Sequence, residues 1–181
     1  MDTLFLVNLC ARSWAVTALA LIARGTVART SPLAAAAGCG RTAMTASVEH
    51  LVSLGLLEAN PGYGHPLRPA YRLTPAGARV AAWAETLDSA VPPAVDRALL
   101  RGKWTLAVLH CLDRERRFGE LRATLQPVTD RALSASLGRL AAERWVTRQV
   151  STHTAPPSVL YRVRPSHEPL VRQLHRLPAV A

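Results

Sequence analysis

Arg101-Gly102-Lys103-Trp104-Thr105-Leu106 opens the most informative segment of this 181-residue chain, a segment that ends near Arg164. Its apolar spacing predicts a helix after Lys103 and a short helix near Arg117-Phe118-Gly119-Glu120-Leu121. A turn at Gln126-Pro127-Val128 precedes a third helix from Thr129 to about Glu143, and two strands follow, separated by Thr154-Ala155-Pro156-Pro157. Three helices followed by a hairpin predict a winged helix-turn-helix.

The first half of the chain predicts the same unit in a weaker form. Serine or threonine followed by proline marks two helix starts, since the hydroxyl caps the helix and proline fits its first turn. The turn Gly38-Cys39-Gly40 precedes the third helix, and Gly55 ends it in a left-handed cap. The expected helices run from about Leu4 to Ala23, from Ser31-Pro32, from Arg41 to about Leu54 with Met44, Val48, Leu51 and Val52 buried, and from Thr74-Pro75 to about Leu87, with a hairpin of Leu56–Ala59 and Pro69–Leu73 before the last.

Several residues recur at a nearly constant offset. Trp104 lies 90 residues after Trp14, Leu140 lies 89 after Leu51, Tyr161 lies 90 after Tyr71, and Pro165 lies 90 after Pro75. We interpret this as an internal duplication. The linker Ser89-Ala90-Val91-Pro92-Pro93 is the predicted boundary, because two prolines cannot continue a helix.

The predicted fold class is therefore mainly α with small β-hairpin wings (α+β). Two tandem winged helix-turn-helix domains are expected to form a pseudo-dimer. The first and more degenerate domain covers residues 1–90, and the second covers residues 91–181.

Several segments of the second half carry a resemblance to a known family: Gly102-Lys103-Trp104-Thr105-Leu106, Arg117-Phe118-Gly119-Glu120-Leu121, Leu133-Ser134, the Leu137–Leu140 segment and the prolines before Tyr161. Through them the second half resembles the HxlR family of bacterial winged-helix transcription regulators, which is similar to the MarR group. The resemblance covers about residues 95–177, whereas the first half matches through Trp14, Leu51–Leu57 and Tyr71. It implies a homodimer that places the third helix of each subunit in successive major grooves. A tandem copy is expected to place both helices from a single chain. Such a chain is expected to act as a monomer or as a homodimer.

The charge favours a polyanionic partner. The formal net charge is +10, and it is uneven. Residues 1–90 carry seven basic and five acidic side chains, whereas residues 91–181 carry fifteen and seven. Double-stranded DNA is thus the expected partner, and the second half is expected to supply most of the attraction.

DNA contacts are expected from the third helix and the wing of each half. Arg131 and Arg139 flank a buried stripe, so both are predicted to face outward. The second-half candidates are Thr129, Arg131, Ser134, Arg139, Arg148, His153, Arg162 and Arg164, and the weaker first-half candidates are Arg41, Thr42, Thr45, Arg68 and Arg72.

The third helix of the second half carries Ala135, Ser136 and Gly138, where the family commonly has longer side chains. Short side chains cannot make bidentate contacts with bases. Two alternatives therefore stay open. In one alternative, the helices approach the groove closely and read little of the base sequence. In the other, the protein no longer reads DNA and binds a small molecule, as a drug-sequestering or self-resistance protein. On the second alternative Trp14 and Trp104 line a pocket for a small aromatic ligand, although core packing is the first interpretation of both. A ligand that prefers one arrangement of the two helices would make a regulator ligand-responsive.

Three widely spaced cysteines favour a reducing cytoplasm over a disulfide framework. Cys39, in a turn near Arg41, is the candidate reactive thiol, and Cys10 and Cys111 are interpreted as buried fillers. No membrane span is expected at residues 4–23, because Asn8 and Arg12 interrupt the apolar run. The histidines and cysteines lack zinc-like spacing, and no catalytic motif is present, so we expect no cofactor, no metal and no enzymatic activity.

Overall fold

Capping residues set the helix ends in the computed structural model, which describes residues 3–60, 69–92, 97–151 and 158–180. The side-chain oxygen of Thr74 accepts a hydrogen bond from the N–H of Gly77 at 3.0 Å, and Pro75 takes the first helical position, as predicted. The described helices and strands are α1 (Thr3–Leu9), α2 (Ala15–Ala23), α3 (Thr30–Ala37), α4 (Arg41–Ser53), β1 (Leu57–Ala59), β2 (Tyr71–Leu73), α5 (Pro75–Ser89), α6 (Thr105–Cys111), β3 (Arg116–Arg117), α7 (Phe118–Thr124), α8 (Asp130–Ala142), β4 (Val146–Ser151), β5 (Ser158–Val163) and α9 (Glu168–Leu174), with 3-10 turns at Leu99–Arg101 and Pro165–His167.

These elements form two compact units. One, called the N-unit, contains residues 9–90 and 176–181, and the other, called the C-unit, contains residues 91–175 and 1–8. Helices dominate, and the strands form two small antiparallel sheets. The predicted α+β fold class with hairpin wings is confirmed.

The N-unit surrounds a core of aliphatic side chains. Helices α2, α4 and α5 bury Leu19, Met44, Leu51 and Val80, each without exposed surface. The two-stranded sheet follows α4 and pairs Leu57 with Leu73. Burial of such side chains is the main favourable contribution to folding.

The C-unit has a three-stranded sheet in the order β3-β5-β4. In this sheet Val146 pairs with Val163, and Arg116 pairs with Tyr161. Trp145, just before β4, is 1% exposed and lies at the base of the hairpin. The sheet and α6 to α9 therefore enclose an apolar core that holds the hairpin in place.

The single helix expected from Leu4 to Ala23 is wrong, because the chain turns at residues 10–14 between α1 and α2. Within this turn the N–H of Ala15 donates to the carbonyl of Arg12 at 3.1 Å, and Arg12 and Ser13 are exposed. Apolar spacing continues across the turn, so periodicity alone predicted one helix.

The start of α3 also differs from the prediction. Arg29 is extended and Thr30 is the first helical residue, so Ser31 is not the N-cap and Pro32 occupies the third position. Proline is tolerated there because the first four N–H groups of a helix have no partner within it.

Within α4 the buried stripe includes Ser47 in place of Val52, which is 38% exposed. The hydroxyl of Ser47 donates to the carbonyl of Ala43 at 2.9 Å, so its burial leaves no unpaired donor.

Candidate nucleic-acid interface

Helix α8 has one face in the core of the C-unit and one face in solvent. Thr129 caps the helix, because its side-chain oxygen accepts the N–H of Ala132 at 3.2 Å. The buried residues are Leu133, Ser136, Leu137 and Leu140. The exposed residues along the opposite side are Arg131, Ser134, Ala135, Gly138, Arg139 and Ala142.

Small residues dominate the centre of this exposed face. Arg131 and Gly138 are seven residues apart, which places them within about 20° of each other around the helix axis. A Cβ atom added to Gly138 would meet no described heavy atom within 4 Å. The backbone at Gly138 is thus open to a close approach, and Arg131 lies on the same face two helical turns, about 10 Å, nearer the N-terminus.

Arg139 is exposed but lies toward one side of that face. It is eight residues from Arg131, about 80° around the helix. One terminal guanidinium nitrogen of Arg139 lies 3.3 Å from the position that a Cβ on Gly102 would occupy. The guanidinium therefore packs beside the turn before α6, whereas Arg131 extends from the centre of the exposed face.

The wing arginines do not share one face of the hairpin. Arg148 is directly opposite Tyr161, and Arg162 is opposite Thr147, whose hydroxyl donates to the carbonyl of Arg162 at 3.3 Å. Because successive residues of a strand point to opposite faces, Arg148 and Arg162 lie on different faces of the β4–β5 hairpin. Arg162 instead lines a cavity together with α9.

Arg164 is exposed just after β5, where its N–H donates to the carbonyl of Trp145 at 2.9 Å. His167 stacks on Trp145 with ring centroids 4.3 Å apart. Burial, followed by the charge of Arg164, lowers the pKa of His167 below its ordinary value. His153, the predicted contact at the wing tip, lies outside the described residues.

The N-unit candidates carry less free positive charge. Arg41 and Thr42 are exposed at the start of α4, and Thr45 is half-buried. On the hairpin Arg72 forms an ion pair with Glu58 at 2.7 Å. Arg68 lies outside the described residues.

An ion pair that was not predicted from the sequence joins the two helices of the helix-turn-helix. The Nε atom of Arg122 in α7 lies 2.7 Å from a carboxylate oxygen of Asp130 at the start of α8, and both side chains are about 60% exposed. This pair neutralises the carboxylate nearest to the predicted DNA-contacting end of α8. No periodic pattern in the sequence links these residues, because they belong to different helices.

Trp14 and Trp104 hold equivalent places, since each is the residue before the first turn of a helix, α2 or α6. Both are half-buried, and the Lys103 ammonium lies 5.4 Å from the ring centroid of Trp104. Both side chains are thus partly packed, and Trp104 also makes a cation–π contact. Their role toward a ligand stays a prediction.

The cysteines differ in burial. Cys39 is half-buried between Gly38, in a left-handed conformation, and Gly40. Burial raises the pKa of Cys10 to about 12 and is the main cause that raises the pKa of Cys111 to about 11, so both thiols stay protonated near neutral pH. The latter two fit the predicted role of buried fillers, and the reactivity of Cys39 stays a prediction.

Within the described ranges, no cluster of three or more His, Cys, Asp or Glu side chains is placed to bind a metal ion. In the same ranges, no helix has the length and apolar character needed to cross a bilayer.

Part of the chain is similar to known proteins. Residues 99–180 match the HxlR-like helix-turn-helix family, which confirms the resemblance predicted for the second half. The chain is also similar to a solved structure, that of a candidate MarR-family transcriptional regulator from Porphyromonas gingivalis W83, with 24% identity, a TM-score of 0.41, and coverage of 43% of this chain and 76% of that chain. No curated protein matches this chain significantly.

Proposed function

From the HxlR-like match of residues 99–180, we propose that this protein is a DNA-binding transcription regulator in which two tandem winged helix-turn-helix units act as a single-chain pseudo-dimer. HxlR-like proteins form a family of transcription regulators that is generally non-enzymatic. The observation that carries the proposal is the exposed face of α8, which holds Arg131 near its N-terminal end and the open backbone of Gly138 two helical turns further on.

Agreement between the third helices supports the tandem arrangement. Both α4 and α8 contain 13 residues, and their first residues are 89 positions apart. Each ends with a residue at positive φ, Gly55 at 67° and Arg144 at 59°. The next N–H bonds back to the helix in both: Leu56 to the Leu51 carbonyl at 3.0 Å, and Trp145 to the Leu140 carbonyl at 2.8 Å.

The hairpins agree as well. The pair Leu57 and Leu73 in the N-unit corresponds in offset to the pair Val146 and Val163 in the C-unit. An equivalent backbone hydrogen bond follows each hairpin. The N–H of Thr74 donates to the Leu56 carbonyl at 3.1 Å, and the N–H of Arg164 donates to the Trp145 carbonyl at 2.9 Å. Matching register and matching closing bonds support descent of both units from one ancestral winged helix.

On this proposal α8 enters a major groove with its N-terminal end closest to the bases. Thr129, Arg131 and Ser134 then contact bases or phosphates, and Arg148 reaches the backbone from the wing. The small residues of α8 allow the helix to lie deep in the groove, while base discrimination is weak. Arg139 supports the turn before α6 and reaches a phosphate at the edge of the groove.

The N-unit contributes less affinity. Glu49 is exposed on α4 and repels phosphate, and Arg72 is compensated by Glu58. Arg41 and Thr42 supply its remaining contacts. The C-unit therefore anchors the protein, and the N-unit sets its orientation along the duplex.

Fluorescence anisotropy tests the proposal. The full chain is titrated onto a labelled duplex from its own upstream region and onto a scrambled duplex of the same composition. We expect tighter binding to the native duplex, and a logarithm of the binding constant that falls linearly with the logarithm of the salt concentration. Lack of binding at low salt, or equal binding to both duplexes, contradicts a sequence-reading regulator.

A small-molecule binding protein, drug-sequestering or conferring self-resistance, is the second candidate function. A cavity of about 530 Å³ in the C-unit favours it. Binding of a small molecule without binding of any duplex would favour this function over regulation, and binding of both would make the regulator ligand-responsive. The predicted cytoplasmic location stays a prediction under either function.

A further inference from the structure

The cavity of the C-unit is formed by three separate segments: the loop after α6, the end of β5 and one side of α9. Its volume of about 530 Å³ lies within the range of small-ligand sites. Its lining, as far as the chain is described, includes no residue of α8, so the proposed DNA contacts of that helix leave it unused.

Helix α9 presents one continuous face to the cavity. Glu168, Val171, Arg172 and His175 follow the three- and four-residue spacing of a single helix face. A guanidinium nitrogen of Arg172 lies 3.8 Å from a carboxylate oxygen of Glu168, so these two charges compensate each other. The ring of His175 lies against His110 with centroids 4.2 Å apart, which fixes its position at the end of the cavity.

A second acidic group of the lining is also compensated. Asp113, in the loop after α6, accepts a hydrogen bond from the guanidinium of Arg116 at 3.3 Å. Two of the three lining carboxylates, those of Asp113 and Glu168, thus have cationic partners from the protein.

Three lining charges are left for a ligand. Arg114 and Glu115 are neighbours in the loop after α6, and Arg162 comes from β5. All three are exposed, and none forms an ion pair with another described residue. Val163 and Val171, both buried, also line the cavity. The cavity therefore offers two guanidinium groups, one carboxylate and an apolar floor.

We propose that this cavity binds a small zwitterion of amino-acid size. The ligand's carboxylate is held by Arg162 and Arg114, its ammonium group by Glu115, and its apolar chain lies over Val163 and Val171. A simple organic acid could bind the two guanidinium groups but would offer Glu115 no ammonium donor, and a simple amine would face two guanidinium groups. A molecule that carries both charges satisfies all three side chains through charge-assisted hydrogen bonds. This site stands independently of DNA binding.

Isothermal titration calorimetry on the full chain with three six-carbon probes tests the site. Norleucine carries both charged groups, hexanoate lacks the ammonium group, and hexylamine lacks the carboxylate. We expect saturable binding of norleucine, with the other two at least about tenfold weaker because each loses a charge-assisted contact. Absence of norleucine binding, or equal or tighter binding of hexanoate or hexylamine, overturns the proposal.

Substitutions of the lining residues test whether norleucine binds in this cavity. Arg162→Gln and Glu115→Gln are each expected to weaken norleucine binding about tenfold or more, since each removes one of the charged contacts. Arg12→Gln, which removes an exposed arginine outside the cavity lining, is the matched control and should leave the affinity unchanged. Circular dichroism verifies folding, and if Arg162→Gln does not fold, Glu115→Gln in the loop decides. Unchanged norleucine affinity in a folded variant overturns the assignment.

Discussion

Helices α4 and α8 have the same length and the same type of C-terminal cap, yet they present different surfaces. At the offset of 89 residues, Arg131 of α8 corresponds to Thr42 of α4, and Gly138 corresponds to Glu49. The exposed face of α8 therefore carries a cation and an open stretch of backbone, whereas α4 exposes a carboxylate. The buried positions of the two helices therefore match, while the exposed positions set the charge presented to a partner.

The hairpins of the two units also differ in the charge that they expose. Arg72 of the N-unit is held by Glu58 across the strands, whereas the corresponding Arg162 of the C-unit lies opposite the uncharged Thr147. The charge of Arg162 is consequently left for an external group. In both the third helix and the hairpin, the C-unit exposes an arginine whose counterpart in the N-unit is uncharged or ion-paired.

The largest expected effect of a substitution lies at the base of the N-unit hairpin. Gly77 packs against the backbone of Leu56, and a Cβ at that position would overlap the Leu56 carbonyl. The corresponding place in the C-unit holds His167 stacked on Trp145. We expect Gly77→Ala to lower the free energy of unfolding by about 3 kcal/mol or more, as measured by urea denaturation.

Gly138→Ala is the control for this comparison, because the added methyl group points into open space and alanine favours a helix. It should leave stability equal or raise it by up to about 1 kcal/mol. A loss of less than about 1 kcal/mol in Gly77→Ala would contradict the close packing of Gly77 on Leu56.

The next effect concerns DNA affinity. Arg131→Ala removes the cation at the centre of the exposed face of α8, and we expect binding to weaken by about 1–3 kcal/mol. The salt dependence should also become shallower by about one phosphate contact. Thr42→Ala, at the corresponding position of α4, should change affinity less than about twofold. Equal losses in the two variants, measured by anisotropy, would remove the proposed asymmetry between the units.

A smaller effect concerns acid stability. His110 in α6 corresponds to Ala20 in α2, and burial, followed by the charge of His175, lowers the pKa of His110 from 6.5 to about 4. The unfolded chain therefore binds the proton more readily, so stability falls as the pH drops through the interval between these two values. Because the ring is only partly buried, we expect His110→Gln to reduce this acid loss by about 1–2 kcal/mol.

Urea denaturation at a series of pH values measures this effect. His50→Gln, in the third helix of the N-unit, is the control and should retain the acid loss of the parent protein. The same pH slope for His110→Gln and the parent would show that the environment of His110 does not disfavour its charged form.

The smallest effect concerns the cap of α8. Arg144 adopts a positive φ of 59°, where the N-unit has Gly55 at 67°. Arg144→Gly relieves the steric cost of a side chain in this region, and we expect stabilisation of about 0.5–1 kcal/mol. Glu143→Gly, at a negative φ, should be neutral or destabilising. Destabilisation by Arg144→Gly, seen in thermal or urea unfolding, would contradict the strain assigned to this residue.

Much of the fold could be predicted from capping residues at the helix ends. Thr129 and Thr74-Pro75 gave helix starts that the structure reproduces, and Gly55 gave a helix end, because each acts on backbone groups within one turn. The break between α1 and α2 could not be predicted in this way, since the apolar spacing continues across the turn.

The candidate interface was harder to predict from the sequence than the fold, because its geometry depends on tertiary structure. Arg148 and Arg162 were both predicted to contact DNA, but the strand register places them on opposite faces of the hairpin. The contact of Arg139 with the Gly102 turn and the pair of Arg122 with Asp130 depend on how helices pack. The cavity likewise unites segments far apart in the sequence.

Hydroxyl-radical footprinting of the full chain on duplex DNA from its own upstream region tests the tandem regulator most directly. Two winged units on one duplex should protect two patches about 10–10.5 base pairs apart, or a multiple of that spacing. Arg131→Ala should weaken the patch made by the C-unit before the other. A single protected patch, or two patches that are equally insensitive to Arg131→Ala, would contradict the account.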